Sequence, residues 1–247
     1  MKTKRKETQQ SNSLVRVGIL AVGVLLLVFL HPVLGQTMKD PANTSLTTGP
    51  DNPALVGMPE PATHALSIYK GQGMDLNLLQ IPGSLLTNDV PWEPSFFVGV
   101  NYNHLLTVWD WNGHGVLPFL FHRMRFEGEG QLSKHWGLQH NYESHGAVLF
   151  RTRTFNPFAS FGFSFAMGTG LSYAFGEPTY EDGPGGVKGG PHYRLQNYIV
   201  AEIVWAWLGL PDFAVVSRVH HRSGVYGLVA PQGVGSNFLA HGIRWYF

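Results

Sequence analysis

Leu120-Phe121-His122-Arg123-Met124-Arg125-Phe126-Glu127-Gly128-Glu129-Gly130-Gln131-Leu132 repeats with a period of two. Leu120, His122, Met124, Phe126, Gly128, Gly130 and Leu132 share one face, and Phe121, Arg123, Arg125, Glu127, Glu129 and Gln131 share the other. Every second residue from Arg123 to Gln131 is charged or polar. A helix of 3.6 residues per turn would scatter those side chains around its axis, whereas a strand collects them on one side. The stretch therefore predicts a strand with one charged and one mainly apolar face.

A second stretch says which face is inside. Between Ser160 and Thr169, Phe161, Phe163, Phe165 and Met167 point one way, and Ser160, Gly162, Ser164, Ala166 and Gly168 point the other. Small residues inside and bulky apolar residues outside invert the pattern of a soluble sandwich. They suit a narrow barrel in lipid. The composition agrees, since only 13% of residues are charged while 13% are aromatic and 30 are Gly. No apolar run after Leu30 is long enough for a transmembrane helix.

Further strands are expected at about 66–73, 95–109, 142–155, 194–208, 213–223 and 237–247, separated by turn clusters such as Asn112-Gly113-His114-Gly115 and Glu181-Asp182-Gly183-Pro184-Gly185-Gly186. With the two stretches above this predicts an all-β fold, an eight-stranded antiparallel transmembrane β-barrel of the outer-membrane type, over residues 64–247. A barrel of that size is filled by side chains, so transport is a weak reading. Glu202 falls on a face with Tyr198, Val200 and Val204. Together with Arg123, Arg125, Glu127, Glu129, Arg151, Arg153, Arg218 and Arg244 it is expected to form an interior ion-pair network, because buried charges need partners. In the last strand Leu239, His241, Ile243, Trp245 and Phe247 share one face, opposite Phe238, Ala240, Gly242, Arg244 and Tyr246, so the final aromatic belongs to the interfacial girdle.

The N-terminus reads as an export signal. Lys2, Lys4, Arg5, Lys6 and Arg16 precede the apolar run Val17–Leu30, which is followed by Val33-Leu34-Gly35. Residues 1–35 are expected to be a signal peptide cut after Gly35, with an uncleaved anchor as the alternative. Residues 36–63, rich in Pro, Thr, Asn, Asp and Gly, read as a disordered leader. The signal carries five of the 17 basic and one of the 16 acidic residues, so the remainder holds 12 against 15 and a net charge near −3. That balance gives no support for nucleic-acid binding. With no Cys there is neither a disulfide framework nor a lipoprotein anchor.

Candidate chemistry lies in Phe213–Gly224. Arg218, His220 and Arg222 point inward on this strand, so Ser217, Val219, His221 and Ser223 point to lipid. His221 and Ser223 stand on one side about 7 Å apart at Cα, close enough for a base to meet a hydroxyl. A girdle His beside a turn-forming Ser would show the same spacing.

The tail His220-His221-Arg222-Ser223-Gly224 through Gly227, then Gly233-Val234-Gly235-Ser236-Asn237-Phe238 and Gly242-Ile243-Arg244-Trp245-Tyr246-Phe247, resembles the lipid A 3-O-deacylase family and its acyloxyacyl-hydrolase-like relatives. Glu127-Gly128-Glu129-Gly130-Gln131 with His135-Trp136-Gly137, and Gly168-Thr169-Gly170-Leu171-Ser172-Tyr173-Ala174, look similar to the same relatives, so the resemblance spans most of residues 95–247. It implies an eight-stranded outer-membrane enzyme that removes an ester-linked acyl chain from lipopolysaccharide. Ser223 would be the nucleophile and His221 the base. The family has an acidic residue in the third position, where this chain offers Asn237. No cofactor is called for, and the remaining His residues lack metal-ligand spacing such as H-E-x-x-H. Two other readings compete: a non-enzymatic adhesion or envelope barrel with a degenerate site, and a soluble barrel of the lipocalin type with Phe161, Phe163 and Phe165 turned inward.

Overall fold

The computed structural model describes residues 62–110, 123–158, 160–207 and 209–247. The expected signal peptide, nearly all of the expected leader and the Asn112–Gly115 turn lie outside them. Among the described residues nine strands follow one another: β1 His64–Met74, β2 Trp92–Trp109, β3 Met124–Gly137, β4 Tyr142–Arg151, β5 Phe155–Phe158, β6 Phe161–Ala174, β7 Leu195–Trp207, β8 Leu210–Ser223 and β9 Gly235–Tyr246. One short helix, α1 (Ile81–Thr87), lies between β1 and β2.

Sequence neighbours pair antiparallel, with two exceptions that close the sheet. β4 pairs with β6 past the short β5, which flanks one end of β6, and β9 returns to pair with β1. The result is a closed, eight-stranded antiparallel barrel, which leaves no long unpaired edge. Among the described residues no helix is long and apolar enough to cross a membrane.

The phase of every strand is set by what cannot face lipid. Arg151, Arg218, Arg222 and Arg244 are among the largest fully buried side chains, and all point inward. Arg151 donates from Nε and Nη2 to the two oxygens of Glu127 at 2.8 and 3.0 Å, and also reaches Glu202. Arg244 donates to both oxygens of Glu202 at 2.8 and 3.2 Å, and Arg218 Nη2 donates to both oxygens of Glu129 at 2.8 and 2.9 Å. Arg218 Nε lies 3.7 Å from Glu202, so that one carboxylate faces three guanidinium groups. Bidentate geometry of this kind offsets the cost of taking ions out of water.

Arg123 and Arg153 lie outside the strands. Arg123 precedes β3 with a positive φ of 52°, and the alternation begins only after it. Arg153 lies past the end of β4, its guanidinium 5.5 Å from the Phe155 ring centroid.

The outer face is apolar. Ile68, Val100, Leu132, Val148, Phe165, Met167, Leu171 and Ile243 are all exposed. The lipocalin reading therefore fails, because Glu127 is 5% exposed and Phe165 43%. Aromatic pairs ring both ends. Phe161 with Trp205 and Trp245 with Phe247 lie near the chain-terminal end, and Phe96 with Trp136 and Tyr173 with Phe175 lie near the other. Such girdles mark the two interfaces of a membrane barrel. Small residues face inward on β6 because space demands it: a Cβ at Gly170 would collide with the Gly146 carbonyl of β4.

The two ends differ. Residues 75–91, 175–194 and 224–234 form long connections and 138–141 a short one at the end remote from His64 and Phe247; at the terminal end β7 stops at Trp207 and β8 starts at Leu210, while β2 stops at Trp109 and β3 starts at Met124. Outer-membrane barrels carry long loops outside and short turns on the periplasmic side. At the long-loop end Glu181, from the β6–β7 connection, is buried and accepts from Arg222, Gln196 and Ser236.

Replacing Glu202 by Gln leaves three buried guanidiniums short of a carboxylate. The expected loss of stability is on the order of 3–5 kcal/mol, read as an earlier midpoint in urea unfolding of the detergent-solubilised barrel.

Candidate active site

β8 and β9 bring the expected residues together. In their antiparallel register His221 is opposite Asn237 and Ser223 is opposite Gly235. His220 and Arg222 are fully buried, so the alternation turns His221 and Ser223 to the outer wall. Ser223 ends β8 and Asn237 lies near the start of β9, which places the group at the long-loop rim.

The geometry fixes the imidazole. His221 Nδ1 lies 2.7 Å from Asn237 Oδ1, and Asn237 Nδ2 donates to the Leu76 carbonyl at 2.6 Å. The second bond settles the orientation of the amide, because only its nitrogen can donate to a carbonyl. Asn237 Oδ1 can then only accept, so the proton of the neutral ring sits on Nδ1 and Nε2 keeps its lone pair. That is the tautomer a general base requires. The β1–β2 connection, which carries Leu76, is thereby tied to the site.

Ser223 is held differently. No described side chain hydrogen-bonds its Oγ, so its hydroxyl is not engaged with His221 in this resting arrangement. On the β9 side its neighbour is Gly235, at φ +136°, where a Cβ would collide with the Arg222 carbonyl. The obligatory glycine leaves open wall beside Ser223. On the β7 side lies Asn197, which donates to the Gly170 carbonyl at 2.7 Å. Immediately after Ser223-Gly224, Val225 and Tyr226 take positive φ values of 48° and 53°. Left-handed backbone is costly for a β-branched residue and concentrates at functional sites.

A second Ser–His pair was not singled out in the sequence. Ser217 Oγ and His241 Nδ1 lie 2.9 Å apart on the outer face. The register that sets His221 against Asn237 also sets Ser217 against His241, so the pair becomes legible once the strand pairing is known. Its depth argues against ester chemistry. Six residues along a tilted strand put it roughly 15 Å below Ser223, at mid-bilayer, whereas lipid esters lie near the headgroups.

Two further features also needed the fold. The Leu76 carbonyl comes from a connection far away in sequence, and the inward-facing Glu143, His145 and His220 meet only because β4 and β8 face each other across the barrel.

No family model matches the chain, and no curated protein matches it. Solved structures that resemble it include the outer membrane enzyme PagL, at 12% identity over 72% of this chain and 97% of that one, with a TM-score of 0.45. Neisserial surface protein A matches at 11% identity over 75% of this chain and 98% of that one, with a TM-score of 0.40. Ail, the attachment invasion locus protein of Yersinia pestis, matches at 10% identity over 75% and 99%, with a TM-score of 0.23. At these values the likenesses assign no residue of the site.

Replacing Asn237 by Ala removes the imidazole's side-chain partner, leaving the ring only its contact with the Ser236 backbone, and removes the tie to Leu76. Amide exchange of residues 75–91 should then accelerate, and nitrogen NMR of His221 should change from a single Nδ1-protonated tautomer to a mixture, with the barrel still folded.

Proposed function

We propose that the protein is an outer-membrane ester hydrolase that removes an ester-linked acyl chain from lipid A of lipopolysaccharide by acyl transfer through Ser223. The observation that carries this reading is the His221–Asn237–Leu76 chain of contacts beside Ser223, on the lipid-facing wall at the long-loop rim. A base and a hydroxyl there would meet a substrate ester held in the outer leaflet. Export by the N-terminal segment and a barrel with an apolar belt are what such a location requires.

In the proposed reaction His221 Nε2 takes the Ser223 proton as Oγ attacks the ester carbonyl. The tetrahedral intermediate collapses, His221 protonates the departing sugar alkoxide, and an acyl-enzyme remains. Water, deprotonated by His221, then releases the fatty acid and restores Ser223. The Gly224 N–H, for which no described group is an acceptor, is the proposed oxyanion donor. Oγ must rotate toward His221 when substrate binds, a tightening common between resting and substrate-bound sites.

Asn237 changes the energetics. In serine proteases an Asn in place of the triad Asp is damaging chiefly because it selects the wrong tautomer. Here Leu76 holds the amide so that its oxygen meets the imidazole, and only the charge stabilisation of the imidazolium is lost. Asp at this position would restore that charge while setting a carboxylate against the Leu76 carbonyl.

The free Ser223 hydroxyl and the neutral Asn237 favour a second reading, a non-enzymatic envelope or adhesion barrel. Incubation of the purified barrel with lipopolysaccharide, followed by mass spectrometry of lipid A, separates the two. The hydrolase loses an ester-linked chain from lipid A, and Ser223→Ala and His221→Gln each slow that loss at least about 100-fold. An unchanged lipid A, or equal loss with Ser223→Ala, contradicts it.

A further inference from the structure

We propose that Glu143, His145 and His220, with His135 beside them, form a binding site for one divalent transition metal of borderline softness, such as Zn²⁺, inside the outer half of the barrel. The side chains come from β3, β4 and β8, and all four are buried. One ligand atom from each of Glu143, His145 and His220 lies within 4.8 Å of the others.

Three observations point to a cation. First, both ring nitrogens of His220 and Nδ1 of His135 and of His145 are buried without a hydrogen-bond partner, and Glu143 Oε2 faces only His135 and His145. Buried polar atoms are almost always satisfied, so unpartnered imidazole nitrogens gathered round one carboxylate call for a ligand; His145 Nε2 has Ser133 Oγ 3.5 Å away as its other neighbour. Second, the spacing is already near that of a filled site. A tetrahedral metal with ligands at roughly 2.1 Å has ligand–ligand edges of about 3.4 Å; Glu143 Oε2 lies 3.3 Å from His135 Nε2 and 3.7 Å from His145 Nε2. The His145 and His220 rings meet edge to face at 4.5 Å between centroids, so small ring rotations bring both nitrogens to a common centre.

Third, the carboxylate is held as a metal ligand is held. Glu143 Oε1 accepts from Arg222 at 2.7 Å, Asn141 at 3.1 Å and Gln139 at 3.3 Å, which locks its orientation and turns Oε2 toward the histidines. Outer-shell bonds of this kind orient the ligands of protein metal sites. Arg222 is also paired with Glu181, and Arg218 with Glu129, so the positive charges around the cluster are answered. Imidazole and carboxylate donors without sulfur select Zn²⁺ or a close neighbour over Mg²⁺ or Ca²⁺.

The test uses the untagged full barrel, extracted in detergent, stripped with chelator and reloaded with Zn²⁺ or Co²⁺. Gel filtration and elemental analysis should then find one equivalent of metal per folded barrel. Co²⁺ should give visible bands of a low-coordinate site, and X-ray absorption of the Zn²⁺ form should show imidazole scattering. His145→Gln with His220→Gln should weaken binding at least about tenfold, with folding checked by the mobility shift of unheated samples on gels; Ser223→Ala should bind as wild type does. His64 and His104, whose Nδ1 atoms lie 3.3 Å apart on the exposed terminal end, are the competing site. Absence of retained metal in wild type, absorption spectra without imidazole, or binding abolished by His64→Gln with His104→Gln but untouched by the interior pair would each overturn the proposal.

Discussion

The contact between Glu202 and the three arginines Arg151, Arg218 and Arg244 fixes the rest of the molecule. Four charged groups from β4, β7, β8 and β9 converge in the barrel axis, and none could be turned to lipid at tolerable cost. Because side chains alternate along a strand, placing Arg218 inward decides the direction of every other side chain on β8. The network therefore selects strand phase, and a slip by one residue would turn it out whole.

Phase then decides the chemistry. With Arg218 and Arg222 inside, His221 and Ser223 must be outside, and pairing with β9 sets Asn237 beside the imidazole. The inner and outer walls of β8 carry different machinery within a few residues. His220 looks into a closed cluster of histidines and a carboxylate, while His221 looks at the wall where the acyl chains of the outer leaflet would lie. Arg222 braces the inner group through Glu143, and its carbonyl forces Gly235 to remain a glycine beside Ser223.

Much of this is legible in the sequence alone. The period-two charge of Arg125, Glu127 and Glu129 and the inverted size pattern of Phe161–Gly168 carried strand, phase and barrel, since both depend only on neighbours in sequence. Position on the outer wall for His221 and Ser223 followed from the same count. What escaped was whatever depends on two distant strands meeting. Arg123 stands before the strand alternation because its own left-handed backbone precedes β3, which periodicity cannot register. Glu181 read as part of a turn cluster, yet the loop folds it back onto Arg222. The Asn237–Leu76 bond, the Ser217–His241 pair and the Glu143–His145–His220 group all require strand register or a cross-barrel contact, and no linear spacing encodes either.

The central claim is that the charged interior places a reactive Ser223, and no other hydroxyl, at the outer-leaflet wall. A long-chain alkyl fluorophosphonate added to the barrel in lipid vesicles, followed by peptide mass spectrometry, tests this directly, because such probes label only serines activated by a base. The account predicts one adduct, on Ser223, lost in His221→Gln. An unlabelled barrel, or an adduct on Ser217 instead, would contradict it.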